Sequence, residues 1–451
     1  MPRTALGPRF RSLLASSGAA NLGDGVVQVA LPLVALSLTR SPTQIALLTA
    51  LAWLPWSALG IPAGVLVDRT DRRTVQVLAL TARAALLAAA TWLAATGSLT
   101  MPRLLAVALA YGVTEVLADL AARALVPDLV PRPALPVANG RIVAVQQVAN
   151  SFLGAPLTGV LLMLGTAWAF GVPAGLAVLA AAVLVLGVRG TYRHTAPTGP
   201  ADVGAVPPVG SASAAPVDRT GAEPLTPRSH AVARAWSDVR DGLTFVARHR
   251  VLRPVVAAGA LINMASTGYF VVFVLWAVGD GSRVGLTEQT YPLLMTALAV
   301  GAVAGSVLTP RLLRTLGDVR LMVGSFLVAF GLLTVPVLAP HPAAVGVTLL
   351  LVGALSTTGN VVSESLRQRV VPPHLLGRVT GAGSTLTYGL MPVGALLAGV
   401  GAEHTGQAPT MLGATVLAVV VTATLGLALR HVTTQDLSAP PTRDRDDVLV
   451  P

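Results

Sequence analysis

Glu115, Asp119 and Arg123 step by four through a stretch that is otherwise almost wholly apolar, so on a helix they form one charged stripe. An ionisable group near the centre of a bilayer costs ~2.5 to 3.5 kcal/mol on insertion scales, so each needs either a partner or a task. Asp24 and Arg83 lie in two other apolar stretches, and Glu364 and Arg367, three apart at the end of a fourth, can satisfy each other. Asp119 can form a structural bridge with Arg83 or with Arg123. With the Glu364–Arg367 pair set aside, Asp24, Glu115 and Asp119 face only Arg83 and Arg123, and one carboxylate is left over. A carboxylate that takes up and loses a proton as its site faces alternate sides is what proton coupling requires. Glu115 is the first candidate for that role, Asp24 the second and Asp119 the third. The structural alternative for Asp24 is a bond to backbone or to Asn21, one turn earlier.

What is missing narrows the chemistry further. The chain has no cysteine, and every one of its 31 basic residues is arginine, so thiolate chemistry, Schiff bases and the lysine of a phosphate-binding loop are all excluded. The seven histidines (194, 230, 249, 341, 374, 404, 431) fall outside the apolar blocks, which argues against a metal or haem held within the membrane. Neither H-E-x-x-H nor G-x-S-x-G occurs, so an intramembrane enzyme has almost nothing to work with. No cofactor is expected.

Only 11% of the 451 residues are charged and 53% are hydrophobic, the composition of a membrane protein rather than a soluble domain. The apolar blocks are too long for barrel strands and place twelve spanning helices near residues 13–38, 43–66, 75–96, 103–126, 138–164, 167–188, 254–278, 286–309, 319–339, 343–366, 378–402 and 408–429. With the N-terminus inside, 26 arginines fall on the inner side and three (Arg40, Arg103, Arg283) on the outer side, with Arg83 and Arg123 inside spans. This asymmetry predicts both termini in the cytoplasm and accounts for the net charge of +11 without nucleic acid. Arg3, Arg9 and Arg11 ahead of an apolar run resemble a signal peptide, but the run continues through Leu38.

The spans divide into an N-terminal half, 1–189, and a C-terminal half, 253–430, with a linker at 190–252 and a tail at 431–451. "TAPTGPADVGAVPPVGSASAAP" reads as disordered linker, and Trp236, Val239, Leu243 and Val246 then fall at helical spacing, suiting a helix that lies on the membrane surface against lipid. The halves repeat each other: a Gly-x3-Gly and an arginine-rich turn follow both span 2 and span 8, and "GRIVAVQQVANSFLGAPLTG" matches "GRVTGAGSTLTYGLMPVGALLAG". A ligand cavity is expected between the halves at mid-depth. Gln28, Gln146, Gln147, Asn150, Asn263, Tyr269, Asn360 and Tyr388 are the candidates to line it, and Pro156 and Pro392 the candidates for helix irregularity.

The loop after span 2, "GVLVDRTDRR", packs two acids and three arginines into six positions. Gly60 and Gly64 are expected to let span 2 approach a neighbouring helix closely, while Arg69, Arg72 and Arg73 hold the turn inside. Gly64, Leu66, Asp68, Arg69, Arg72 and Arg73 fit the G-x-L-x-D-R-x-x-R-R loop of the major facilitator superfamily, and over all twelve spans the chain resembles a transporter of that family. "NLGDGVVQVALPL", "LVPDLVPRPALPVANGR" and "VVPPHLLGRVTG" carry a closer likeness to bacterial exporters of the enterobactin and macrolide-efflux type. The resemblance implies an all-α membrane protein of two six-helix pseudo-repeat halves, with Gly64, Asp68, Arg69, Arg72 and Arg73 forming a latch between them. A plain stop-transfer anchor is the structural alternative for that knot. Span 4 lacks the R-x-x-Q-G pattern of many drug antiporters, and "GAPLTG" in span 5 is an eroded form of their signature.

These readings converge on a monomeric, non-enzymatic secondary transporter of the plasma membrane. Its expected partners are a small-molecule substrate, protons and lipid, with no nucleic acid. Efflux of amphiphilic compounds by proton antiport is the leading expectation. A dedicated siderophore or lysophospholipid transporter, and a non-transporting membrane sensor of the same fold, stand as alternatives.

Overall fold

The computed structural model describes residues 6–192, 240, 242–279, 281–371 and 376–430, leaving the linker through 239 (with Trp236 and Val239) and the tail outside the described residues. Twelve helices among the described residues are long and apolar enough to cross a membrane: α1 (Pro8–Leu38), α2 (Pro42–Arg69), α3 (Arg72–Ala95), α4 (Met101–Leu129), α5 (Leu135–Leu164), α6 (Thr166–Gly187), α7 (Leu252–Ala277), α8 (Tyr291–Leu316), α9 (Asp318–Leu338), α10 (Pro342–Val370), α11 (Thr385–Thr405) and α12 (Gln407–Leu429).

Local sequence sets the ends. Pro42 and Pro342 open α2 and α10 in the first turn, where a missing N–H costs nothing. Gly165 (φ 122°) and Gly406 (φ 92°) supply the left-handed residue that turns α5 into α6 and α11 into α12, the same device at the same place in both halves. α8 begins at Tyr291 rather than at residue 286, because Leu286 bridges back to Val278 and the intervening residues turn.

Three spans are broken: α9 pauses after Leu332 and resumes over Val335–Leu338, and α5 and α11 are interrupted nearer their middles. α5 is helical over Leu135–Gln147, passes through a π turn over Val148–Leu153 and resumes over Gly154–Leu164. Pro156 lacks the N–H that would bond the carbonyl of residue 152, which lies inside the π turn. In span 11, a helix over Leu376–Gly389 gives way at Leu390 to one over Met391–Thr405, and Pro392 stands in the first turn of the second piece.

In one half α3 packs on α4 and α6, and α1 on α6; in the other α9 packs on α10 and α12, and α7 on α11 and α12. Between the halves, α2 lies along α11 and the later part of α5 meets α8. α1 and α5 cross at backbone contact: a Cβ on Gly25 would fall 2.1 Å from the Asn150 carbonyl oxygen and one on Gly154 2.6 Å from the Gly25 Cα, and the Thr158 hydroxyl donates to the Val26 carbonyl at 3.2 Å.

Candidate functional site

Asp24 of α1 and Arg83 of α3 meet beside Tyr111 of α4, each about midway along its helix. The Asp24 carboxylate accepts from the Arg83 guanidinium and from the Tyr111 hydroxyl. Arg83 also donates through Nε to the Thr114 hydroxyl at 3.3 Å, and its guanidinium carbon lies 5.1 Å from the centre of the Tyr111 ring. Arg83 and Asp24 are 2% and 9% exposed, so the two charges meet largely withdrawn from water at the edge of a cavity. Asp24 is therefore corrected from a spare carboxylate to a paired one. Asn21 does not serve it, since its amide donates to the Ser17 carbonyl at 2.8 Å. Asp119 pairs with Arg123 at 2.8 Å, one turn along α4, and not with Arg83.

Glu115 is left over. Among the described residues no arginine lies within salt-bridge distance of it. The Trp56 indole is its polar neighbour, although the buried Trp56 Nε1–H makes no hydrogen bond of good geometry.

Two adjoining cavities open from this cluster. A chamber of about 480 Å³ with a mainly apolar surface is walled by residues that include Leu31, Ile45, Phe270, Tyr291 and Met295, with Asn263 among its polar ones. A more polar cavity of about 670 Å³ runs past Trp56, Gln76, Arg83, Asp119, Arg123, Gln146 and Tyr388 toward the arginine-rich end. Asp24, Gln28, Trp53, Glu115, Gln147, Asn150 and Ser151 line both. Two candidates for the lining are corrected. Tyr269 is 1% exposed, donates to the Leu333 carbonyl at 2.8 Å and packs against Phe270 and Phe273, because its ring is a core element of α7. Asn360, on the exposed side of α10, lines neither cavity. Trp53 and Trp56, not singled out in the sequence, both contact the Tyr388 ring across the halves, with centroids at 6.0 and 5.8 Å; their i, i+3 spacing on one face of span 2 was the available signal.

The charge knot is arranged differently from its expectation. Among the described residues a Cβ on Gly60 or Gly64 would meet nothing within 4 Å, so neither glycine is at a close helix contact there, and Gly60 faces the polar cavity. Asp68 is largely exposed, 3.7 Å from Arg72, and among the described residues makes no ion pair with the other half. Arg72 instead binds Asp128 at 2.8 Å and the Ala124 carbonyl at 3.1 Å at the end of α4, and Arg73 donates to the Val185 carbonyl of α6 at 3.0 Å; Arg69 closes α2. The acid that organises the turn is Asp71, which caps α3 through the Thr74 N–H and hydroxyl and accepts from the Tyr192 N–H at 2.6 Å. Burial raises its carboxyl, but the Thr74 hydroxyl, the N–H groups of Tyr192 and Thr74 and the Arg73 charge more than reverse this and hold it below the ordinary value.

The second half repeats the joint with the signs exchanged. Asp318, first residue of α9, binds Arg369 near the end of α10, just as Arg72, first residue of α3, binds Asp128 near the end of α4. Glu364 and Arg367 pair within α10.

The opposite end of the molecule is shut. Glu403 of α11 accepts from the hydroxyls of Ser41 and Thr43 and from the Thr43 N–H, at 3.1 to 3.4 Å, at the start of α2. Arg40 donates to the Val278 carbonyl at 2.8 Å, and a Cβ on Gly159 would fall 2.8 Å from the Gln289 carbonyl oxygen. The cavities are thus closed at the arginine-poor end and accessible from the arginine-rich one.

The profile of the Major Facilitator Superfamily matches residues 13–396. The chain is 28% identical to the multidrug efflux pump Tap of Mycobacterium tuberculosis, covering 98% of this chain and 97% of that protein, and 28% identical to the enterobactin exporter EntS of Citrobacter koseri, covering 88% and 86%. It is also 37% identical to uncharacterised MFS-type transporters of Mycobacterium bovis and M. tuberculosis, but there the match spans 33% of this chain and only 34% of the length of those relatives. In fold it is similar to a bacterial homolog of the human lysosomal transporter Spinster in an inward-facing, unoccupied conformation (TM-score 0.68, 15% identity, 98% and 100% covered) and to the nucleoside transporter NupG (TM-score 0.67, 12% identity, 93% and 99% covered). A profile running through nearly all the spans, the twelve-helix architecture and a central cavity between paired halves make this chain a multi-pass membrane transporter of the Major Facilitator Superfamily.

Proposed function

We propose that the protein is a proton-coupled exporter of small amphiphilic compounds, working by alternating access in the plasma membrane with both termini in the cytoplasm. Sidedness is supported by the arginine asymmetry, which makes the accessible end of the cavities cytoplasmic. The efflux direction draws on the similarity to the multidrug efflux pump Tap and the enterobactin exporter EntS.

The observation that carries proton coupling is Glu115. Asp24 and Asp119 each hold an arginine, so removing a proton from Glu115 creates the one uncompensated charge of the cluster. Glu115 lines both cavities, so a ligand in either changes its surroundings directly. A proton from outside neutralises Glu115, substrate from inside favours the state that has released it, and the halves rock between the two.

The test compares metabolites and a drug panel inside and outside host cells that lack the protein, express it, or express Glu115→Gln at matched level. Export restored by the wild type and lost in the variant supports the reading. Equal export by both, or no compound moved by either, overturns it.

A further inference from the structure

We propose that His249 is a pH-sensitive clasp: its neutral ring fastens the end of the linker to the arginine-rich end of the C-terminal half, and protonation of the ring releases it. The inference concerns regulation rather than the transport step and stands or falls independently of Glu115.

His249 is the joint between two helices. Its N–H is shared between the carbonyls of Phe245 at 3.0 Å and Val246 at 3.2 Å, closing the helical turns over 242–248, and its carbonyl accepts from the Arg253 N–H at 3.1 Å where α7 begins. The ring Nδ1 accepts from the N–H groups of Val251 and Leu252 at 3.2 and 3.3 Å. One nitrogen thus serves two of the donors that the start of a helix leaves without a helical partner. Pro254, next along, has no N–H to give, so this start of α7 rests on the His249 ring more than an ordinary helix end rests on its cap. A ring nitrogen accepts only while it carries no proton, so the contact requires the neutral tautomer with its hydrogen on Nε2. Protonation would point a third N–H at the other two, at the positive end of a helix.

The surroundings also disfavour the charged ring. Burial lowers the His249 pKa below the ordinary 6.5. The charged groups of the elements packed here are Arg248, Arg250 and Arg253 beside it, Glu364, Arg367 and Arg369 on α10, Arg378 on the helix over Leu376–Gly389 and Arg430 at the end of α12; Asp238 and Asp241 lie outside the described residues. Glu364 is taken by Arg367, and among the described residues no acid lies within salt-bridge distance of His249. The clasp is therefore fully closed above the ordinary value and opens as pH falls through the lowered one. The pH it reads is that of the compartment at the arginine-rich end, the cytoplasm under the proposed sidedness.

What the clasp holds gives its opening a consequence. The Phe245 ring lies 5.6 Å from the His249 ring, and Phe245 and Val246 pack with Leu252 and Val256 of α7, Val370 and Val371 at the end of α10, and Val379 on the helix over Leu376–Gly389. The linker end thereby braces three spans at once. One of them is the inner piece of the broken span 11, which gives way at Leu390 and carries Tyr388, the ring that meets Trp53 and Trp56 across the halves. Acid at this end loosens the brace on the piece that makes the contact between halves.

The experiment uses the absence of cysteine. Ala247→Cys, at an exposed position, takes a single nitroxide label in the full-length protein in nanodiscs, and the spectrum separates an immobilised from a mobile component, the seated and the released linker end. With His249 present, the mobile component is expected to rise about threefold from about pH 7.5 to about pH 5.5, on either side of the ordinary histidine value. His249→Asn keeps an oxygen acceptor at the cap and cannot titrate, so its mobile component should stay low at both pH values. His249→Ala has no acceptor and should be mobile at both; should it fail to fold, the comparison with His249→Asn decides alone. A mobile component that does not change with pH when His249 is present, or one that rises equally in His249→Asn, overturns the proposal. So does a His249→Asn protein already released at the higher pH, because the packing of the ring and not its acceptor nitrogen would then hold the segment.

Discussion

Glu403 in α11 caps the first turn of α2, taking the Thr43 N–H and the hydroxyls of Thr43 and Ser41 from the other half of the molecule. The contact exists only while the arginine-poor end is closed, so it favours that state alone. Glu403→Ala is expected to shift the equilibrium toward the opposite opening by roughly a few-fold. Because the chain has no cysteine, a single introduced thiol reports this directly: labelling of Ala52→Cys in the apolar chamber by an impermeant reagent from the arginine-poor side should rise by that factor. Unchanged labelling would remove Glu403 from the closure.

The Asp24–Arg83 pair predicts strong non-additivity. Arg83→Met leaves a buried carboxylate without its cation and should cost about 3 to 5 kcal/mol, whereas Asp24→Asn with Arg83→Met should recover most of the loss. Thermal unfolding in one detergent across the four proteins measures it; additive losses would mean that the two residues act separately.

Asp71 gives a pH signature outside the membrane. Its carboxyl titrates below the ordinary 3.8, so its contribution to stability is fully present above that value and disappears as pH falls through the depressed one. Asp71→Ala should therefore cost about 1 kcal/mol at neutral pH and progressively less in acid. A penalty that stays constant from pH 7 into strong acid would contradict the assignment.

Glycines of similar spacing should behave in opposite ways. Gly25→Ala sets a methyl against the Asn150 carbonyl and is expected to cost about 1 to 3 kcal/mol, while Gly60→Ala and Gly64→Ala meet open space and should fold as well as the wild type or slightly better. Loss of transport in well-folded Gly60→Ala would place the need for that glycine in the state where the arginine-rich end is closed. Expression and melting temperature decide the folding half of the comparison.

The spans and their pairing into halves were legible because bilayer length and an apolar solvent leave the chain few options, and the charge count on α1, α3 and α4 correctly left one carboxylate over. Glu115, the first candidate, is the one left without an arginine among the described residues; how the other two find their partners could not be read. Asp24 and Arg83 are far apart in sequence, and their pairing depends on how α1 and α3 rotate about their axes, which no periodicity reports. Tyr269 looked like a polar group available to a ligand because a sequence gives its hydroxyl but not the Leu333 carbonyl that occupies it. Asp71 was overshadowed by Asp68 because the resemblance to a known loop drew attention to the motif position, while the capping geometry belongs to its neighbour. Gly60 and Gly64 show a different limit: one sequence serves two states, and a motif can describe the one not adopted here.

The π turn in α5 has a mechanical consequence. Beyond it the helix is pinned to α1 by Gly154 and Thr158, whereas before it the segment carrying Gln146 and Gln147 has little buried surface. A π turn holds one surplus residue, and a helix advances about 100° per residue. Passing that surplus along by one position exchanges hydrogen bonds in sequence and twists the more exposed segment, whose footing on α1 is Val145 against Gly18, without unpicking the pinned one. α5 is in this respect a swivel bearing, able to turn the amide-bearing wall toward or away from a bound molecule while its anchored end stays still.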